Sequence, residues 1–326
     1  MTAAAQPLKV LSIVGAGRSG TTVLASILGE FAGFASAGEL RWLWERGVVA
    51  RRPCGCGALP AQCEVWGPVL TKTLQTADSD EQVNLAQQIM VALGELNKHR
   101  NRLRLLHSAD GGARDWAALQ EVRRYTAAAT RAFAEQSAAR VIVDTSKRPQ
   151  DAAVFAGLED VDHYVLHLVR DPRAVVHSWR RSKTFSVEGH TRTMGTRSLP
   201  STVRRWVDNS LSAAALRRRL PEDRWLFLRY EDFARDPRPA VESILSMLGE
   251  SGEHPPFESR DTVLLHPNHI VAGNPSRFVT GSVTIRPDDE WRSSMARRDQ
   301  RLVELATLPL MLRYGYRLRT AGHEEE

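Results

Sequence analysis

Apolar residues along this chain alternate between two patterns. Short unbroken apolar runs at residues 10–14, 140–144, 164–169 and 225–228 predict buried strands. Between them, apolar residues recur three and four apart, as at Val23, Leu24, Ile27 and Leu28, which predicts helices. Residues 34–40 predict a further short strand or its exit, ending at the carboxylate of Glu39, and residues 41–47 the start of a helix. From about 71 to 139 the pattern is helical throughout. Val83, Ala86, Ile89, Met90, Leu93 and Leu96 share one face, and Trp116, Leu119, Val122 and Tyr125 share another, with a break at Asp110-Gly111-Gly112. Residues 184–200 are polar and without apolar period, which predicts a mobile loop over a site. Helices are expected over 174–182, 201–220, 237–248 and 291–312, and residues 324–326 form an acidic tail. Strands alternating with helices predict an α/β fold: an open parallel sheet flanked by helices, P-loop-like, as a single domain over residues 1–326 with a helical insertion at about 71–139.

The first strand runs into GAGRSGTT and then directly into a helix, the context that makes a phosphate cradle. Gly15, Gly17 and Gly20 allow backbone N–H groups to approach an anion. The helix beginning near Gly20 adds unpaired N–H groups and its positive dipole end. Ser19, Thr21 and Thr22 add hydroxyl donors, and Arg18 adds a guanidinium that can fork onto two oxygens. Gly15 and Gly20 keep the spacing of a Walker loop, but Thr21 stands where its lysine would be. The loop can therefore hold a phosphate yet lacks the group that reaches the β/γ-phosphates of ATP.

Two more strand ends carry charge to the same sheet edge, where open α/β sheets bind ligands. The strand at 140–144 leads to Lys147, and the strand at 164–169 leads to Arg170, followed by Pro172 at a helix start and Ser178 within that helix. Asp144 could hold Mg²⁺ as a Walker-B aspartate, or cap a helix or contact the loop.

The chain has 326 residues, a net charge of +6 and 42% apolar residues. It is long enough for a sizeable core and favours anionic partners. No apolar run is long enough to span a membrane and the N-terminus has no signal-peptide pattern, so a cytoplasmic enzyme is expected. No nucleic-acid recognition module is visible. Cys54, Cys56 and Cys63 form C-x-C-x6-C. They could hold zinc with a fourth ligand from elsewhere, although this is not the spacing of a standard zinc pair, or they form a tight loop of buried or free thiols anchored by Trp66.

Strand–GAGRSGTT–helix followed by VLHLVRDPRAVVHS resembles the two cofactor motifs of sulfotransferases that use 3′-phosphoadenosine 5′-phosphosulfate (PAPS). The RSGTT loop is similar to the tyrosylprotein-type and related bacterial members, and the cysteine loop ending in Trp66 and the GNPSRF segment resemble features of bacterial members. The resemblance covers residues 9–40 and 140–182 strongly and the insertion weakly. It implies that Gly17, Arg18, Ser19, Gly20, Thr21 and Thr22 hold the 5′-phosphosulfate, and that Arg170 and Ser178 hold the 3′-phosphate. Arg277 would reach the 3′-phosphate or the loop over it. Glu39, at the place of the catalytic glutamate, would be the general base, with Arg18 and Lys147 stabilising charge in in-line sulfuryl transfer to an acceptor hydroxyl. A small-molecule or carbohydrate acceptor is favoured, and no metal is required. The alternatives are a P-loop ATP-dependent kinase or nucleotidase, and a nucleotide-binding protein without catalysis. His107, His163, His167 and His177 are rival bases, with His163 and His167 expected as packed strand residues.

Overall fold

The first strand, β1 (Leu8–Val14), lies at the centre of a five-stranded parallel sheet. The computed structural model describes residues 7–318, except 111–114, 183, 188–189 and 194. The expected break at Asp110-Gly111-Gly112 falls largely outside the described residues, as do the N-terminal residues 1–6 and the acidic tail. After β1 come α1 (Thr21–Leu28) and β2 (Phe34–Gly38). The insertion follows: α2 (Trp66–Leu74), α3 (Ser79–Leu96), α4 (Arg102–His107) and α5 (Ala117–Gln136). Its first helix begins earlier than the composition change at 71 suggests. Trp66 is already helical and stacks on Phe133 of α5, with ring centroids 4.6 Å apart.

The chain returns through β3 (Val141–Lys147), α6 (Pro149–Ala156), β4 (Val161–Val169) and α7 (Pro172–Arg180). Within the stretch expected as loop, β5 (Thr184–Val187) and β6 (His190–Thr193) instead form an antiparallel pair. Four-residue strands are too short to print a periodicity on the sequence. Then follow α8 (Leu199–Arg217), β7 (Trp225–Arg229), α9 (Tyr230–Arg235) and α10 (Pro237–Leu248). The chain ends with a second small pair, β8 (Thr262–Leu265) and β9 (Gly281–Thr284), then α11 (Trp291–Ser294) and α12 (Arg297–Arg313).

Sheet order is β2-β3-β1-β4-β7, all parallel. Burial on both faces explains the unbroken apolar runs of β1, β3 and β4. Alternate residues of β1 serve opposite layers. Leu11 and Ile13 pack with Leu24, Ile27 and Ile244, while Val10 packs with Trp66, Phe133 and Ile142 of the insertion side. The topology reverses direction beside β1: its own crossover leads to β2, beyond β3, whereas β4 lies on the other side. The crevice at the carboxyl end of β1 is therefore the expected ligand position. Among the described residues, no helix is long and apolar enough to cross a membrane.

Candidate active site

The β1–α1 loop is fixed by backbone contacts that only glycine permits. The Gly15 N–H donates to the Lys147 carbonyl at 2.8 Å, and its own carbonyl accepts from Asn209 Nδ2 of α8 at 2.7 Å. A Cβ on Gly15 would lie 2.1 Å from the Leu168 carbonyl oxygen. Gly20 has φ +77°, and a Cβ there would meet the Tyr230 ring at 2.7 Å. Among the described residues no side chain caps α1 at Gly20, and its first turn carries no acidic residue. The amides at that helix start thus face the crevice without a competing carboxylate. Ser19 is buried, and its hydroxyl has no hydrogen-bond partner among the described residues. An uncapped helix start beside an orphaned buried hydroxyl suits an anion with several oxygens.

Arg18 holds a left-handed backbone, φ +73°, unusual for a residue with a side chain. Its guanidinium lies 4.8 Å from the Trp179 ring centroid, and that of Arg197 lies 4.4 Å from the same ring. Trp179 Nε1 in turn donates to the Gly17 carbonyl at 3.3 Å. Burial, then the neighbouring Arg181 and Arg197, lower the pKa of Arg18. Such concentrated positive charge is what an anionic ligand relieves.

Arg170 follows the last residue of β4 and is buried. One Nη donates to the Arg18 carbonyl at 2.8 Å, which joins the two sequence motifs directly. The other donates to the Asp288 carbonyl at 2.9 Å and lies 3.1 Å from the Asp288 carboxylate. The guanidinium also sits over Tyr230, 4.5 Å from its centroid. Asp171, its neighbour in sequence, is engaged elsewhere: it caps α7 through the Arg173 amide and pairs with the Arg173 guanidinium at 2.6 Å. Ser178 is buried on α7. Arg181 faces Asp288 at 3.4 Å and pairs with Glu290, whose other oxygen lies 3.6 Å from His177 Nε2. An acidic turn thus covers the guanidinium groups of Arg170 and Arg181, with His177 beside them.

Glu39 is placed from three directions. Gly38 takes φ +80° because Val271 bridges to it; a Cβ would lie 2.3 Å from the Val271 carbonyl oxygen. The Glu39 N–H donates to that same carbonyl at 2.9 Å. One residue on, the Leu40 N–H donates to Asp144 at 3.2 Å, and the Ser146 hydroxyl donates to the same carboxylate oxygen at 2.6 Å. Asp144 is fully buried, and burial raises its pKa to about 7. Its oxygens are turned to Leu40 and Ser146, the loop-contact alternative, rather than to the crevice. Lys147, also left-handed at φ +70°, pairs through Nζ with Glu39 Oε1. Arg46 lies 3.9 Å from Glu39 Oε2. A Cβ on Gly273 would stand 3.5 Å from Thr22 Oγ1 and 3.6 Å from Glu39 Oε1, so the carboxylate and the phosphate loop flank one backbone atom.

Arg277 is buried on the Glu39 side of the crevice. It donates to the Gly273 carbonyl at 3.2 Å and to the Pro53 carbonyl at 3.3 Å, and burial lowers its pKa to about 10. Of the rival histidines, His177 lies beside Glu290 on the Arg170 side, and the other three lie elsewhere. His163 and His167 are core residues whose pKa values burial pushes down to about 3; His163 pairs with the Ser12 hydroxyl, and His167 sits among Trp225, Phe227 and Tyr314. His107 is exposed on the insertion. A cavity of about 30 Å³ lies behind Leu40, between Trp44, α5 and α6. That volume is about the size of a water molecule and too small for an acceptor.

Sequence reasoning brought Arg18, Glu39, Lys147 and Arg170 to one sheet edge. It missed Trp179, Arg197, Asp288 and Val271, which reach the site from distant or irregular segments.

Among curated proteins none matches this chain. A family model described as the sulfotransferase family matches residues 11–254. Among solved structures, the sulfotransferase domain from the curacin biosynthetic pathway is 16% identical, covers 97% of this chain and 100% of its own, and superposes with a TM-score of 0.54. The sulfotransferase domain of the Synechococcus PCC 7002 olefin synthase is 20% identical, with coverages of 96% and 97% and a TM-score of 0.48. Retinol dehydratase in a complex with retinol and PAP is 16% identical, with coverages of 98% and 84% and a TM-score of 0.39. The α/β sheet is shared with the curacin domain, and the family match spans the phosphate loop, β3 and the Arg170 motif: the chain belongs to the sulfotransferase family.

Proposed function

We propose that this enzyme transfers the sulfuryl group of PAPS to a hydroxyl of a small-molecule or carbohydrate acceptor, in line, with Glu39 as general base. The observation that carries this reading is the meeting of Glu39 and Lys147 beside the uncapped start of α1. The amides of Gly17–Thr22 and the Ser19, Thr21 and Thr22 hydroxyls hold the 5′-phosphosulfate, with Arg18 on its oxygens. Arg170 and Ser178 hold the 3′-phosphate, which takes over the contact that Asp288 makes with Arg170. Arg277 acts on the donor through the Gly273 loop over it.

The acceptor hydroxyl gives its proton to Glu39 as its oxygen bonds to sulfur. On the opposite side the bond from sulfur to the bridging phosphate oxygen breaks, and the bisphosphate leaves. Lys147 and Arg18 stabilise the charge that gathers on the bridging and sulfuryl oxygens. Positioning and electrostatics carry the rate, as in phosphoryl transfer. No metal takes part in this sequence of steps. Arg46 beside Glu39, and Arg41 and Arg46 over Trp42 at 4.1 and 4.0 Å, support an acceptor that is itself anionic.

Isothermal titration with adenosine 3′,5′-bisphosphate, ADP and Mg-ATP tests the donor side. Metal-independent binding of the bisphosphate in preference to both others is expected. A preference for Mg-ATP would overturn the reading in favour of phosphoryl transfer, and absence of all binding would favour a protein without catalysis.

A further inference from the structure

The three cysteines, left over by the sulfuryl-transfer chemistry, converge with a histidine from a distant segment. Cys54, Cys56, Cys63 and His269 present ligand atoms that all lie within 4.8 Å of one another. The Cys56 and Cys63 sulfurs are 3.7 Å apart, those of Cys63 and Cys54 are 3.9 Å apart, and His269 Nδ1 is 3.2 Å from the Cys63 sulfur. A tetrahedral zinc with bonds of about 2.3 Å to sulfur and about 2.05 Å to nitrogen needs edges of about 3.8 and about 3.6 Å. A disulfide would need its sulfurs at about 2.05 Å. The set therefore has the size of a Cys3His zinc shell.

We propose that Cys54, Cys56, Cys63 and His269 form a structural zinc site that staples the cysteine loop to the segment carrying Val271 and Gly273. The ligands fill four positions, so no place remains for a water or substrate. Binding displaces the three thiol protons to solvent, and three thiolates on Zn²⁺ leave one net negative charge. Arg277 stands next to it, bonded to the Pro53 carbonyl.

The surroundings are those of a ligated cluster. The Trp66 N–H donates to the Cys63 sulfur at 3.4 Å. With His269 Nδ1 on the metal, Nε2 carries the proton, and the Glu64 carboxylate lies 3.5 Å from it; such a partner fixes the ring and its tautomer. Cys54 sits in a tight turn, its N–H on the Ala58 carbonyl and its carbonyl accepting from Gly57. Two contacts already cross between the segments: Trp66 Nε1 to the His269 carbonyl at 2.6 Å, and the Gly55 N–H to the Ile270 carbonyl at 3.0 Å. The metal would lock this crossing, and through Val271 it would fix the backbone of Gly38 and Glu39. The same carbonyl that receives the Glu39 N–H lies two residues from a zinc ligand.

The test is metal analysis of the whole protein, purified under reduction without added metal, beside Cys56→Ala, whose altered residue is exposed. Roughly one zinc per chain is expected, with all three thiols silent to a thiol reagent until a mercurial releases the metal. Cys56→Ala should bind zinc at least about 10-fold more weakly. Replacement of zinc by Co²⁺ in the unaltered protein should give a thiolate-to-cobalt charge-transfer band and the intense visible bands of a tetrahedral site. That measurement decides the matter even if the variant does not fold. Three thiols titrating freely in protein supplied with excess Zn²⁺, a disulfide found by mass, or zinc retained undiminished by Cys56→Ala would each overturn the proposal.

Discussion

Arg170 donates from its guanidinium to the main-chain carbonyl of Arg18 at 2.8 Å, across 152 residues of sequence. The residue proposed to hold the 3′-phosphate thereby also shapes the loop proposed to hold the 5′-phosphosulfate.

Arg170→Ala should weaken bisphosphate binding by about 10- to 100-fold, the size of one or two lost charge-assisted hydrogen bonds. Arg170→Lys should not restore it, because a lysine cannot hold the Arg18 carbonyl and a phosphate with a planar fork. Asp288→Ala should act in the opposite direction, tightening the bisphosphate by removing the carboxylate that lies 3.1 Å from the same guanidinium. Calorimetry on the three variants checks the set; equal affinity across all of them would dissociate Arg170 from the ligand.

Glu39→Gln keeps the size and the backbone contacts of the side chain but removes its basicity. Turnover should fall by about 10²- to 10⁴-fold, while bisphosphate affinity stays within about 2-fold. Product release assays at saturating donor, with calorimetry beside them, separate the two. Loss of donor binding in this variant would assign Glu39 to binding instead.

Gly38→Ala forces a side chain into a left-handed position with its Cβ 2.3 Å from the Val271 carbonyl oxygen. The strain should cost more than about 1 kcal/mol. Thermal unfolding should shift down, and because relief of the clash moves Glu39, turnover should drop as well. An unchanged melting temperature would mean that the 270–273 segment gives way freely.

The buried Asp144 carboxyl has its pKa raised from 3.8 to about 7. The folded chain therefore holds this proton more tightly than the unfolded chain does. The stabilisation is complete below about pH 4 and is lost as pH rises towards 7. Asp144→Asn retains the carbonyl oxygen that accepts from Leu40 and Ser146 and cannot ionise. The variant's melting temperature should vary less between pH 4 and 7 than that of the parent. Identical pH profiles for the two proteins would show that Asp144 stays ionised in the fold.

The sheet was legible because parallel strands buried on both faces leave unbroken apolar runs, and the phosphate loop because glycine spacing and helix start coincide. Glu39, Lys147 and Arg170 could be placed at one edge because each follows a strand end. What escaped lacks local periodicity. Trp179 meets Arg18 from α7, and Asp288 reaches Arg170 from an irregular stretch. His269 lies 206 residues from the sulfur it approaches, so the fourth member of the cysteine cluster had no signature in the spacing of the first three. The β5–β6 and β8–β9 pairs are too short to alternate visibly.

The strand order gives the site a linear layout. Along the carboxyl edge from β2 through β3 and β1 to β4, the residues at or shortly beyond the strand ends are Glu39, Lys147, Arg18 and Arg170. Neighbouring strands are about 4.8 Å apart, so the sheet sets the backbone spacing of the residues proposed as base, charge stabiliser, sulfuryl anchor and nucleotide anchor. The insertion leaves this row at β2 and re-enters it at β3, beside the proposed base Glu39. On the proposed function its helices would border the acceptor, and exchanging them would change which hydroxyl is reached while the nucleotide end of the row stays as it is.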